Sequence, residues 1–290
     1  MDKLAIGIAR EGFVRIYSVV TTDLTDEARR RHDLWPTSSA ALGRTMAVAL
    51  MMGAMSKSDQ EKVNIQINGE GPIKTIVAQS SKSGNVRGYV GEPHVMLSYT
   101  DKKKLAVGLA VGPGFLNVTK SMGMKTDFVG TVDLVSGEIA EDFAYYFNVS
   151  EQTPSAVSLG VLVETDNSVV AAGGLIIQLL PGAREEDIIA TEAAFGKLKP
   201  ISEMVKEGAT AESIIENLFD DARVLETRDV QFKCQCSREL MLNGLATLDS
   251  DEIKAMIEED EIIETVCHYC NEKYLFTIPD LQGLLDAREA

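Results

Sequence analysis

Apolar and polar positions alternate along much of the first 180 residues. Leu4-Ala5-Ile6-Gly7-Ile8 and Phe13 to Val20 are β-branched, partly alternating runs that predict two strands, divided by Glu11-Gly12. Asp23 to Arg31 predicts a helix, with Thr25-Asp26-Glu27 as cap and acidic first turn and Arg29-Arg30-Arg31 at its C-terminal end. Thr37-Ser38 to Met55 predicts a second helix, rich in Ala, Leu and Met on every side and therefore buried all round. From Lys62 the period changes to two. Val63, Ile65 and Ile67 alternate with polar neighbours, and Gly69-Glu70-Gly71-Pro72 turns the chain into Ile73 to Ala78. Further strands are predicted at Val86 to Val90, Leu105 to Val111, Phe115 to Thr119, Phe128 to Leu134, Ser158 to Glu164 and Val169 to Leu180. Glu141 to Ser150 reads as a helix limited by Pro154.

Strands in blocks with a few helices between them indicate an α+β fold. After Pro181-Gly182 the texture changes. Glu185 to Phe195, Ile201 to Lys206 and Ala211 to Phe219 are short helical runs with narrow apolar stripes, separated by Gly196, Pro200 and Gly208. Isolated helices this short are marginal, so they must lie on something. The expected organisation is a mixed sheet-and-helix core domain at 1–182, a helical linker docked on it at 183–230, and a small separate domain at 231–290.

Composition narrows the class. A hydrophobic fraction of 45% and a charged fraction of 25% belong to an ordinary globular chain. The N-terminus has no basic segment leading into an apolar stretch, and Met46 to Met55 falls short of the ~20 residues of a membrane helix, so a cytoplasmic protein is expected. The charge is lopsided: residues 183–290 carry 11 basic and 25 acidic side chains, against 17 and 19 in 1–182. An acidic C-terminal part repels a phosphate backbone, which argues against a nucleic-acid partner.

All four cysteines fall in the last domain, as Cys234-x-Cys236 and Cys267-x-x-Cys270. In a reducing compartment such clusters point to metal or redox chemistry. Zinc fits best, because two close-spaced pairs supply four thiolates to a tetrahedron. The intervening segment can bring the pairs together: Leu240 to Leu248 precedes a helix begun by Asp249, with Glu252 placed for a capping box and Ile253, Met256 and Ile257 on its apolar face. A domain of this size has a small core, so the metal should organise it. Two readings remain at this point, an inert structural ribbon and a sensor whose thiolates are the species oxidants attack. His268, inside the second pair, reads as a neighbour of the site rather than a ligand.

Longer stretches carry a more specific signal. Phe232-Lys233-Cys234-Gln235-Cys236-Ser237-Arg238 and Cys267-His268-Tyr269-Cys270 with Asn271 to Phe276 closely resemble the redox domain of the heat-shock protein 33 family, the redox-regulated chaperonins. Ser39 to Arg44, Gly69-Glu70-Gly71-Pro72, Val86-Arg87-Gly88-Tyr89 and Tyr145 to Pro154 resemble that family's motifs in the same order. The resemblance implies an ATP-independent holdase that binds unfolding client proteins under oxidative stress. It implies zinc on Cys234, Cys236, Cys267 and Cys270 in an inactive reduced state. Oxidation would pair Cys267 with Cys270 and Cys234 with Cys236, release zinc and unfold the linker, and the active form would be a homodimer.

Enzymatic alternatives find little support. There is no HExxH, GxSxG or GxxxxGK[ST] sequence. His32 beside Asp33, with Ser38 and Ser39 nearby, reads as helix-end polarity rather than a triad. Cys267-x-x-Cys270 is followed by a strand-like Tyr274-Leu275-Phe276, whereas a thiol-disulfide oxidoreductase seats this motif at a helix N-terminus. Met46, Met51, Met52 and Met55 suit helix packing better than an adaptable client surface.

Overall fold

The computed structural model describes residues 1–100, 104–121, 127–259 and 262–289. Two compact units divide the chain, Met1–Lys233 and Cys234–Ala290. The class is α+β.

The first unit opens with β1 (Lys3–Ala9) and β2 (Val14–Val20), joined by a 3-10 turn at Arg10–Gly12 in which Arg10, Glu11 and Gly12 all have positive φ. Helix α1 (Thr22–His32) follows. Its N-terminus is capped from a distance: the Asp2 carboxylate accepts the N–H groups of Asp23 (3.1 Å) and Leu24 (2.7 Å), where the local sequence predicts a cap at Thr25-Asp26. Helix α2 (Pro36–Ala54) starts with proline in its first turn, and every residue from Thr37 to Ala54 is buried. Met46, Met51 and Met52 are fully enclosed core residues. Ser38 and Ser39 are buried and donate to the carbonyls of Glu92 and Leu34, while Asp33 meets His94 at 3.0 Å.

Strands β3 (Lys62–Gly69), β4 (Thr75–Ser81) and β5 (Asn85–Val90) follow, then helix α3 (Val107–Val111), β6 (Gly114–Ser121), β7 (Phe128–Asp133), helix α4 (Ala140–Val149), β8 (Ser155–Val163) and β9 (Val169–Leu179). The strand expected at Leu105 to Val111 is the helix α3. A short apolar run has no distinguishing period. Here Gly71 and Ile73 donate to the Val111 and Ala110 carbonyls, and Gly112 (φ 72°) turns the chain out.

Helices α5 (Glu185–Gly196), α6 (Ile201–Lys206) and α7 (Ala211–Glu216) occupy the expected linker, but residues 223–229 of it are a strand, β10 (Arg223–Asp229), antiparallel to β1. Charges at four of its seven positions hide the period-two signal. The two-residue β11 (Gln231–Phe232) runs parallel to β5. The sheets have the orders β10-β1-β2-β9-β8 and β11-β5-β4-β3-β6-β7, and α2 packs against strands of both.

The second unit holds α8 (Arg238–Leu245), α9 (Ser250–Glu258), the antiparallel pair β12 (Ile263–Val266) and β13 (Lys273–Phe276), and α10 (Ile278–Glu289). Its buried centre is Ile253, Leu281 and Leu285, with Met256 and Ile257 against it. Asp249 caps α9 as the sequence predicts, its N–H donating to Glu252 Oε2 at 3.1 Å. No helix among the described residues is long and apolar enough to cross a membrane.

Candidate metal centre

Cys234 and Cys236 lie in the extended segment before α8, whose N-cap Ser237 accepts the Leu240 N–H at 3.1 Å. Cys267 and Cys270 form a tight turn between β12 and β13. The N–H groups of Cys270 and Asn271 donate to the Cys267 carbonyl, and Asn271 takes a left-handed conformation (φ 58°) that closes the turn. This knuckle sits between two strands, not at a helix N-terminus.

The four sulfurs lie within 4.8 Å of one another. Cys234 Sγ is 3.7 Å from Cys267 Sγ, and Cys236 Sγ is 3.3 Å from Cys270 Sγ. Four thiolates around zinc at ~2.3 Å per bond have sulfur–sulfur edges of about 3.8 Å. The cluster is therefore close to the size of such a tetrahedron. No disulfide joins the four cysteines, and Cys267 and Cys270 are buried. Burial pushes both of these thiols above their ordinary range, although main-chain N–H groups of Tyr269 and Glu272 work against it. Deprotonating them there takes a cation close by, which a metal supplies. The donor set thus fits a metal ion in size, number and chemistry.

Neighbouring side chains hold the donors. The Tyr274 hydroxyl donates to Cys236 Sγ at 3.2 Å, a bond that pushes its own ionisation upward. Arg238 donates to the Leu275 carbonyl (3.3 Å) and Asp280 Oδ2 (2.6 Å), and its guanidinium lies 4.7 Å from the Phe276 ring centre. The Thr277 N–H and then Arg238 hold Asp280 at a pKa of about 2. Sequence reasoning gave Tyr274 and Arg238 no role. The alternation Tyr274-Leu275-Phe276 carried a signal for the first, since Tyr274 and Phe276 face inward while Leu275 is exposed. His268 is exposed and outside the cluster.

The linker helices have their own seat in the first unit. Ile201, Ala211, Ile214 and Ile215 are buried against Ala5, Ile16, Leu175 and Ile177 of the first sheet. Strand glycines admit them: a Cβ on Gly7 would stand 2.6 Å from Ile215 Cγ2, and one on Gly160 would stand 2.6 Å from the Ser202 nitrogen. Helix α5 is held differently. Its Ile188 and Ile189 are exposed, while the buried Asp187 is tied to Arg10 (3.0 Å) and Arg184 (3.1 Å). Arg184 above all holds that carboxyl down to a pKa of about 2.

The model of the family described as Hsp33 protein matches residues 2–277. The chain is 50% identical over 286 residues to a 33 kDa chaperonin of Desulforamulus reducens, covering 98% of this chain and 97% of that one. It is 48% identical over 288 residues to the 33 kDa chaperonin of Bacillus subtilis, covering 99% of each. A crystal structure of the 33 kDa chaperonin (heat shock protein 33 homolog) from Thermotoga maritima superposes with a TM-score of 0.92 at 38% identity, over 99% of this chain and 98% of that one.

Proposed function

The chain belongs to the Hsp33 family, and from that premise we propose that it is a cytoplasmic, ATP-independent holdase whose four-thiol centre switches it on. The observation that carries the reading is the convergence of Cys234, Cys236, Cys267 and Cys270 in a unit with little else at its centre. These residues would hold zinc, and the bound ion would supply the positive charge that keeps four thiolates together. The unit buries few large side chains, so its fold depends on those four donors.

Peroxide removes the donors in pairs. Two thiolates give up two electrons as a sulfur–sulfur bond forms, and one peroxide takes those electrons with two protons from solvent to become two waters for each pair. The sulfur contacts Cys234–Cys267 and Cys236–Cys270 run across the two motifs, yet the expected bonds are Cys234–Cys236 and Cys267–Cys270. Once the unit loosens, closing a loop over one or two residues costs far less entropy than closing one over thirty. Loss of the zinc unit then withdraws support from the linker, whose helices leave their seat and uncover the apolar surface of Ile16, Leu175 and Ile177. Unfolding client proteins are the partners, and the active form is a homodimer. Neither turnover of a substrate nor nucleic-acid binding belongs to this reading.

Suppression of aggregation of a thermally unfolding test protein, recorded with zinc release for reduced and peroxide-treated samples, tests it. Protection is expected only after oxidation, with zinc lost and both short-range disulfides present in peptide maps. Complete thiol oxidation and zinc loss without protection would overturn the reading.

A further inference from the structure

The two cysteine motifs are supplied with hydrogen-bond donors in different ways. In the second motif the turn between β12 and β13 serves its own sulfurs: the main-chain N–H of Tyr269 reaches Cys267 and that of Glu272 reaches Cys270. Cys234-Gln235-Cys236 forms no turn. The donor that reaches Cys236 Sγ is a side chain from the strand of the other motif, the Tyr274 hydroxyl at 3.2 Å. It serves the more accessible half of the centre, since Cys234 and Cys236 are part-exposed while Cys267 and Cys270 are buried. Accessible thiolates are the ones that electrophiles and oxidants reach.

Strand geometry sets this bond. Tyr274 pairs with Thr265 across β12 and β13, and the Cys267 N–H donates to the Glu272 carbonyl at 2.9 Å beside that pairing. Side chains on a strand alternate, so Tyr274 and Phe276 share the inward face. Two residues beyond Cys236, Arg238 donates to the Leu275 carbonyl at 3.3 Å and lies over the Phe276 ring. The segment bearing Cys236 is therefore tied to β13 at two points, and the phenol keeps its place against the sulfur. A hydrogen bond to an ionised acceptor is stronger than one to a neutral group, and it occupies a lone pair that would otherwise attack.

We propose that Tyr274 is a positioning residue of the centre, whose hydroxyl holds Cys236 in the ligand set and damps the reactivity of that sulfur toward electrophiles and oxidants. The inference rests on the four-thiolate zinc reading and adds what protects the accessible side of the site in the resting protein. Without the donor, a part-exposed thiolate would be the weak point of the centre. Partners that orient a metal ligand in this way typically change metal affinity by about 10–100-fold when removed.

Tyr274→Phe keeps the ring and removes only the hydroxyl. The full-length reduced protein is loaded with cobalt(II), whose sulfur-to-metal charge-transfer band reports electron density on the thiolates, or with zinc. The variant is expected to show the band at lower energy and to lose zinc to a chelator with an affinity about tenfold weaker. Labelling is done with zinc in excess: a thiolate displaces iodide from iodoacetamide and gains the acetamide group, and peptide maps count the label at each cysteine. Labelling of Cys236 should accelerate about tenfold, while Cys234, Cys267 and Cys270 keep their rates. Uniform incorporation of meta-fluorotyrosine, a stronger donor of nearly the same size, needs no substitution and should move the band the other way and slow Cys236. An unshifted band with Cys236 labelled at its former rate overturns the inference and leaves the zinc reading standing. Equal acceleration at all four cysteines also overturns it, because Tyr274 then supports the whole unit rather than one sulfur. An unsubstituted chain whose sulfurs bind neither cobalt nor zinc brings down both.

Discussion

The proposed linker switch should be open to activation without touching a cysteine. Ile215 of α7 is fully buried and sits over Gly7 of β1. Ile215→Ala removes three carbons from that contact, and the glycine beneath has no side chain to fill the space. Buried Ile→Ala changes cost about 2–5 kcal/mol. A loss of about 3 kcal/mol raises the undocked-to-docked ratio roughly a hundredfold. For a docking preference of about 4 kcal/mol, the undocked fraction climbs from about 0.1% to about 15%. The reduced, zinc-loaded variant should then suppress aggregation without peroxide. Hydrogen exchange supplies the control: amides of α6 and α7 should exchange roughly a hundredfold faster, while those of α2 stay protected. If the linker amides are released to that extent, the core is intact and zinc is bound, yet no suppression appears, linker release is not what activates the protein.

Other expectations concern the supports of each unit. Chelation of zinc from the reduced protein should unfold 234–290, seen as loss of dispersed amide signals from that unit, while signals from β1 to β9 persist. Arg238→Ala severs the ties to Leu275 and Asp280 and the contact over Phe276. It should leave four thiols binding zinc but accelerate peroxide-driven zinc release severalfold. Asp2 gives a pH signature, since burial above all raises its carboxyl from 3.8 to about 6. Between those values the folded chain holds a proton that the unfolded chain has released. Stability from this group is therefore fully present below about pH 4 and is lost as pH rises through 6, by about 3 kcal/mol. Denaturant titrations of Asp2→Asn, referenced to the unsubstituted chain, should lack that step; an identical pH dependence in both proteins refutes the assignment.

Local pattern carried the first unit as far as each element used its own residues. The alternation of Val63, Ile65 and Ile67 and the all-round apolar α2 are legible because burial repeats at the period of the element. Two elements were not, for different reasons. α3 is too short to show a period, and its helicity follows from carbonyls it presents to Gly71 and Ile73, far off in the chain. β10 is a strand through pairing with β1 and buries little, so nothing in Arg223 to Asp229 announces it. The four cysteines stood out because thiol chemistry demands that spacing. Tyr274 and Arg238 did not, since a hydrogen bond to sulfur and a clamp onto Asp280 exist only once β13 and α10 are in place. For 278–289 no element is legible either; α10 gains its order from Leu281 and Leu285 packing on Ile253.

On the proposed mechanism, the position of β10 bears on how the active state would end. The chain from Leu180 to Ala222 leaves the first sheet at β9 and returns to the same sheet at β10, three strand positions away. If both strands keep their places when the helices let go, the freed segment is a tethered loop with its two ends fixed about 14 Å apart. Rebinding is then an encounter within one molecule, at an effective concentration near the millimolar range. A client in dilute solution competes against its own chaperone's tether. Release on return to reducing, zinc-replete conditions would thus need no nucleotide and no partner, only restoration of a few kcal/mol in favour of the seat.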